Sequence, residues 1–203
     1  MNILSKKNGF RKIKWFLLGI LSLSFLSSCQ KNKEEITYKP IGYFSTNFNR
    51  KTGAPRQGIL MKETKGIIIL DEKYTEALKD LDRFEYIFVL YHFHKAIGWD
   101  NFVQPPESDH TFGLFATRSP RRPNPVGLSL IKLDSIKHNK LYVSGIDAFD
   151  GTPVIDIKPF LPSVDNVISI KNMETEIYLG HHDEEFINDS LIPFYIEGKK
   201  EDK

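Results

Sequence analysis

Cysteine is almost absent: Cys29 is the one cysteine in 203 residues. A single thiol closes no intrachain disulfide, so no disulfide framework holds this fold, and the chain after residue 29 has no thiolate for nucleophilic or redox chemistry. Long hydrophobic runs are missing too. The longest, Trp15 to Leu26, falls short of the roughly 20 residues a membrane-spanning helix needs. No glycine-rich strand-to-helix loop is present to cradle a nucleotide, and no Gly-x-Ser-x-Gly elbow to raise a nucleophilic serine. There are no internal repeats. A large excess of one charge is also lacking, with 28 Lys and Arg against 26 Asp and Glu. Five of the cations (Lys6, Lys7, Arg11, Lys12 and Lys14) and none of the acids lie in residues 1–28, so the rest carries 23 cations against 26 acids, a net charge of −3. Strong non-specific nucleic-acid binding rests on neutralising many phosphates. A slightly acidic body argues against it, and any basic site must be local.

What is present begins at the N-terminus. Basic residues, a short apolar run and then Leu26-Ser27-Ser28-Cys29 follow the order of a signal peptide and resemble the bacterial lipobox, in which the cysteine is lipidated and becomes the first mature residue. The plainer alternative for Cys29 is a buried thiol in an ordinary helix. The expected organisation is a signal peptide over 1–28, a polar tether over 29–37, a folded domain over 38–170, a C-terminal extension over 171–197 and a disordered tail over 198–203. The implied location is the cell envelope, with membrane attachment through lipidated Cys29; the alternative is the cytoplasm.

Within the body, β signals dominate. Gly66–Leu70, Glu85–Phe93, Gly127–Ile136, Lys140–Ala148 and Pro153–Ile157 are rich in branched and aromatic residues and bounded by Gly, Pro, Asn or Asp. One helix is expected over Asp71 to Leu81, capped by Asp71 with Ala77, Leu78 and Leu81 on one face, and a weaker one near Asp183 to Asn188. Lone helices among many strands do not give a parallel sheet, so the expected fold is mainly β, a small antiparallel barrel with one or two short helices.

Four clusters offer chemistry. Pro120, Pro123 and Pro125 fix the backbone of a connection that presents Arg118, Arg121 and Arg122; stiffness lowers the entropy lost on binding, and an arginine fork suits carboxylates and phosphates. The alternative is a structural loop whose arginines pair with nearby acids. Asp147 and Asp156 gather about an Asp150-Gly151 turn, which alone predicts a hairpin; carboxylates there could accept from hydroxyls or an amine. Asp156 and Lys158 share one face of an alternating strand. Pro55-Arg56-Gln57-Gly58 is a turn entering a strand. His92 and His94 share a face if extended, which allows a metal pair, yet no third ligand stands at a telling spacing, so no metal is expected. His94 as a donor to a ligand is the better reading. The Asp/Asn-Pro-Pro-aromatic pattern of many amino-methyltransferases is missing, since Gln104-Pro105-Pro106-Glu107 departs from it at both ends.

Phe115-Ala-Thr-Arg-Ser119, Arg122-Pro-Asn-Pro-Val-Gly-Leu-Ser129 and Asp150-Gly-Thr-Pro-Val-Ile-Asp-Ile-Lys-Pro-Phe160 closely resemble the signatures of the TrmO-like (TsaA-like) family. Pro55-Arg-Gln-Gly58, Phe93-His94 and Pro105-Pro106 fit its spacing, and the resemblance runs from Tyr38 to Asp165. It implies a small antiparallel barrel that forms a homodimer, with S-adenosyl-L-methionine bound near the dimer interface. It also implies methylation of the exocyclic nitrogen of a threonylcarbamoyl-modified adenosine beside the anticodon of tRNA. Matched by motif, the cofactor contacts are Gln57, Gly58, Ile59, His94, Lys95, Arg118, Leu128, Ser144, Gly145, Ile146 and Asp147; Lys95 stands where a glutamine is usual. Arg121, Arg122 and Asn124 are the implied substrate contacts. Asp147 and Asp156 are the candidate catalytic acids, placed to orient the amine and take up its developing charge.

Lipid signal and tRNA chemistry point to different compartments. Either the chain is a methyltransferase whose domain faces the cytoplasm, or the barrel is an exported module that binds an adenosine-like or anionic ligand without transfer, or it is an envelope protein with a vestigial site. A later start does not reconcile them, because Met61 lies beyond Gln57 and Gly58.

Overall fold

The computed structural model describes residues 35–106, 108–166 and Leu179. The signal peptide, Cys29, nearly all of the C-terminal extension, the tail and the helix expected near Asp183 to Asn188 therefore lie outside the described residues. None of the described helices is long and apolar enough to cross a membrane.

Among the described residues eight strands are formed, all within the unit Tyr38–Lys203: β1 Gly42–Ser45, β2 Lys65–Leu70, β3 Tyr86–His92, β4 Phe102–Val103, β5 Phe112–Gly113, β6 Val126–Lys137, β7 Lys140–Ser144 and β8 Pro153–Pro159. Six of them close a barrel in the order β1-β2-β7-β6-β3-β8, every pairing antiparallel, while β4 and β5 make a separate two-stranded pair. The antiparallel barrel expected from the sequence is the fold observed. Closure leaves the sheet no open edge. Alternation does the sorting: in β3, Ile87, Val89 and Tyr91 turn inward, and in β6 Gly127, Ser129, Ile131 and Leu133 do. They meet Phe44, Ile68, Leu141, Val143, Ile146 and Val154 in one core.

Three expectations need correction. The segment after Asp71 is not an α-helix but two 3-10 segments, Glu72–Leu78 and Leu81–Arg83, interrupted by Asp80 in the left-handed region (φ 66°). Tyr74, Leu78 and Leu81 pack on the core while Ala77 stays exposed, and Asp71 caps through its carbonyl rather than its side chain. The Asp150-Gly151 turn is real, with Gly151 at φ 71°, yet it makes no hairpin, because the strands on either side, β7 and β8, are not neighbours in the barrel. Strands β1, β4 and β5 were not foreseen.

Candidate active site

At one end of the barrel β3 finishes, β6 begins, the chain leaves β7 and β8 begins. A cavity of about 850 Å³ opens there, lined among others by Gln57, Tyr91, Phe93, His94, Lys95, Arg118, Val126, Leu128, Asp147 and Thr152. Barrel mouths commonly hold small-molecule sites, and this volume suits a cofactor-sized ligand. Seven cationic residues line it (Arg50, Lys51, Arg56, Lys95, Arg118, Arg121 and Arg122) and one acid, Asp147. A body close to neutral thus presents a local excess of positive charge at this mouth.

Asp147 is fixed by three donors. Its Oδ1 accepts from Ser129 Oγ at 2.6 Å and Tyr91 Oη at 3.3 Å, and its Oδ2 accepts the Gly58 amide at 3.1 Å. Tyr91 Oη and Ser129 Oγ are themselves 3.0 Å apart. A carboxylate offers about four acceptor positions, and beside these three donors the backbone amide of Asp147 itself also favours the charged form. Burial pushes the Asp147 carboxyl above its usual range, and the bonds from Ser129, Gly58 and Tyr91 pull it back. Burial, then the neighbouring Asp147 charge, also push the Tyr91 phenol far up, so it stays a protonated donor.

Local sequence explains why this network forms. Gly127 pairs with Tyr91 across β3 and β6, and a Cβ on Gly127 would sit 2.4 Å from the Tyr91 ring. Glycine here lets the ring lie across β6 toward Ser129. Gly58 is wedged in the same way, because a Cβ there would stand 2.0 Å from the Gly145 carbonyl oxygen. The close crossing of residue 58 with residue 145, itself at φ 75°, brings the Gly58 amide onto Asp147.

Arg118 donates through Nη1 to Gln57 Oε1, which ties the arginine loop to the 55–58 turn. Arg122 donates to the Thr117 carbonyl at 2.9 Å and lies over the Phe115 ring at 5.5 Å, so part of its work is structural. No described ion pair involves Arg118, Arg121 or Arg122, contrary to the alternative in which acids satisfy the loop. His94 leaves the strand by a tight turn, its amide donating to the His92 carbonyl at 2.7 Å, so His94 lines the cavity and His92 does not. Its Nδ1 lies 3.3 Å from Thr152 Oγ1. Burial, then Lys95 and His92, lower its pKa and keep the ring neutral. Among the described residues no three His, Cys, Asp or Glu gather as a metal site.

Of the residues singled out in the sequence, Gln57, His94, Lys95, Arg118, Arg121, Arg122, Leu128 and Asp147 meet in this cavity. Gly58, Ile59, Ser144, Gly145 and Ile146 stand behind it: Ile146 is in the core and Ser144 donates to Asp134. Asn124 is exposed on the loop and outside the lining. Asp156 is not a cavity residue either. A register shift between Leu90 and Tyr91 sets β8 against β3 so that Asp156 pairs with Leu90, and its carboxylate takes Lys158 Nζ at 2.7 Å. The unforeseen members are Tyr91, Ser129, Arg50, Lys51 and Thr152; alternation would have turned Tyr91 and Ser129 inward, but nothing in the sequence ties them to Asp147.

The model of the tRNA-methyltransferase O N-terminal domain matches residues 43–166. The chain is 39% identical over 136 residues to an S-adenosyl-L-methionine-binding protein of Archaeoglobus fulgidus, covering 67% of this chain and 97% of that protein. It is 36% identical over 140 residues to the tRNA (adenine(37)-N6)-methyltransferase of Escherichia coli, covering 64% of this chain and 60% of that enzyme. A crystal structure of TrmO from Pseudomonas aeruginosa superposes with a TM-score of 0.60 at 33% identity, covering 72% of this chain and 64% of that one. The chain spans nearly all of the archaeal relative and under two thirds of the Escherichia coli enzyme and of the TrmO chain. Matched over its whole barrel, this chain belongs to the tRNA-methyltransferase O N-terminal domain family.

Proposed function

We propose that the protein is an S-adenosylmethionine-dependent methyltransferase of the TrmO type, acting on the exocyclic nitrogen of threonylcarbamoyl-adenosine beside the anticodon of tRNA. The observation that carries this reading is Asp147: the one acid among the described residues that line a cationic cavity, held there by donors from Gly58, Tyr91 and Ser129. The names of the archaeal and bacterial relatives support it. The residues present fit the cofactor, which carries a carboxylate, an ammonium and a purine. Arg118 offers a fork for the carboxylate, His94 a neutral ring at the rim, and Val126, Leu128 and Phe93 an apolar surface. Bound there, the cofactor supplies an electrophilic methyl group. The protein's part is to align the target nitrogen and exclude water, while Oδ2 of Asp147 orients the N–H and takes up the proton the nitrogen gives away. Leu128 and Val126, 58% and 41% exposed at the rim, suit coverage by a second copy, which supports the homodimer.

Calorimetric titration of S-adenosylmethionine into the protein and into Arg118→Ala tests the site. Saturable binding that weakens at least about ten-fold in the variant is the expected result, in line with losing a charge-assisted pair. Methyl transfer to threonylcarbamoylated tRNA, and none to unmodified tRNA, is expected alongside; absence of both binding and transfer overturns the reading. A second reading, an exported lipoprotein that binds an anionic or adenosine-like ligand without transfer, is favoured by the order of residues ending in Cys29. Palmitate incorporation lost in Cys29→Ala, together with cofactor binding but no turnover, would select it.

A further inference from the structure

Between the two sides of the cavity the chain makes an excursion of its own. Lys95, Ala96 and Ile97 lie on the rim where it leaves, and Thr117 and Arg118 where it returns. The excursion is held by the β4–β5 pair, Phe102 opposite Gly113 and Val103 opposite Phe112, and by the Leu114 amide donating to the Asn101 carbonyl at 2.8 Å. Phe112 and Leu114 are buried beneath it. Arg122 clamps the far side through the Thr117 carbonyl and the face of Phe115. Four large apolar side chains nevertheless face solvent: Ile97 at 79% exposure, Trp99 at 54%, Phe102 at 68% and Phe115 at 79%. Apolar groups gathered at a site's edge mark a contact surface more often than scattered ones do.

We propose that this lobe is a stacking platform for the unpaired RNA bases on either side of the target nucleotide, a proposal that rests on the methyltransferase reading above. A single nucleotide in the cavity leaves its neighbours outside the mouth, and the lobe is the structure continuous with that mouth on both sides. Single strands are held by aromatic faces interleaved with cations, and here Phe115 under Arg122, beside Arg118 and Arg121, supplies that combination. Charge points to RNA as the occupant, because the cationic mouth that continues into the lobe attracts a polyanion.

Trp99 supplies the readout, since it and Trp15 are the two tryptophans. In the full chain carrying Trp15→Phe, an RNA hairpin with an unpaired anticodon-type loop should quench Trp99 fluorescence, and a fully paired duplex of the same stem should not. Phe102→Ala and Phe115→Ala should each weaken hairpin binding about five- to a hundred-fold, the range for losing a stacked base, with S-adenosylmethionine affinity unchanged. Trp99→Tyr should keep the affinity that Trp99→Ala loses. Equal hairpin affinity across wild type and alanine variants, or binding without a change at Trp99, overturns the platform and leaves the methyltransferase standing. Variants that turn from dimer to monomer with RNA affinity intact make the lobe a self-interface and equally overturn it. A wild-type protein that neither binds the hairpin nor methylates tRNA removes the methyltransferase reading and this one with it.

Discussion

Burial opposes charge on Asp147, and the bonds from Ser129, Gly58 and Tyr91 favour it. Ser129 Oγ bonds the ionised form, so removing it takes away an interaction that lowers the pKa, and the carboxyl then titrates higher. The acid limb of kcat/KM against pH should therefore lie above the ordinary aspartate value of about 3.9 in the wild type, and move further up in Ser129→Ala. Asp147→Asn should lose about 10²- to 10⁴-fold in kcat, the range for removing a proton acceptor, with a smaller change in KM. An acid limb unmoved by Ser129→Ala would separate the serine from the titration. His94 gives a second test of opposite origin. Its folded pKa is depressed, so as pH falls through the ordinary histidine value of about 6.5 the unfolded chain takes a proton that the folded chain refuses, and stability falls with it. The drop in urea midpoint between about pH 7.5 and about pH 5 should shrink in His94→Gln. Arg118, His94 and Asp147 were legible in the sequence because each stands in a motif. Tyr91 and Ser129 were not, being 56 and 18 residues from Asp147 and joined to it only by closure of the barrel.

The crossing of the 57–60 turn over residues 145–147 sets the donor that Asp147 needs. Gly58→Ala places a methyl against the Gly145 carbonyl, backbone on backbone, which no side-chain rotation relieves. It should cost about 1–3 kcal/mol by denaturant unfolding, as overpacking does, and weaken ligand binding through the displaced Gly58 amide. Unaltered stability would mean that the turn shifts freely and is not the support proposed for Asp147. Strands β2, β3, β6, β7 and β8 were legible because each is rich in branched and aromatic residues over five or more positions. The four residues of β1, Gly-Tyr-Phe-Ser, are too short a run to carry that signal, and pairing on both sides with β2 and β8 makes them a strand. The segment after Asp71 keeps a helical composition, yet Asp80 turns left-handed and Leu78 alone of its first part is buried, too small an apolar face to hold an α-helix. Which strands meet in the barrel was not legible at all, and the mistaken hairpin at Asp150-Gly151 follows from that.

Over the whole molecule the charge is divided. Beyond residue 28 the acids outnumber the cations by three, while seven cations and one acid line the mouth. Binding of a polyanion should then draw on the mouth alone, because the remaining surface has no excess of positive charge to contribute. Each phosphate neutralised releases condensed counterions, so the logarithm of the association constant falls with the logarithm of salt by about 0.7–0.9 per contact. A site of seven cations should give a slope no steeper than about −6, and a shallower one when Arg118 is engaged with cofactor. Arg121 has an exposed side chain at the rim, and Arg121→Ala should lower the slope by nearly one without altering cofactor affinity, whereas Lys132→Ala on the outer face of β6 should leave it unchanged. Filter binding of an anticodon-arm RNA across a salt series measures both. Equal loss from the two variants would place the RNA over the barrel wall, against the local site that the division of charge requires.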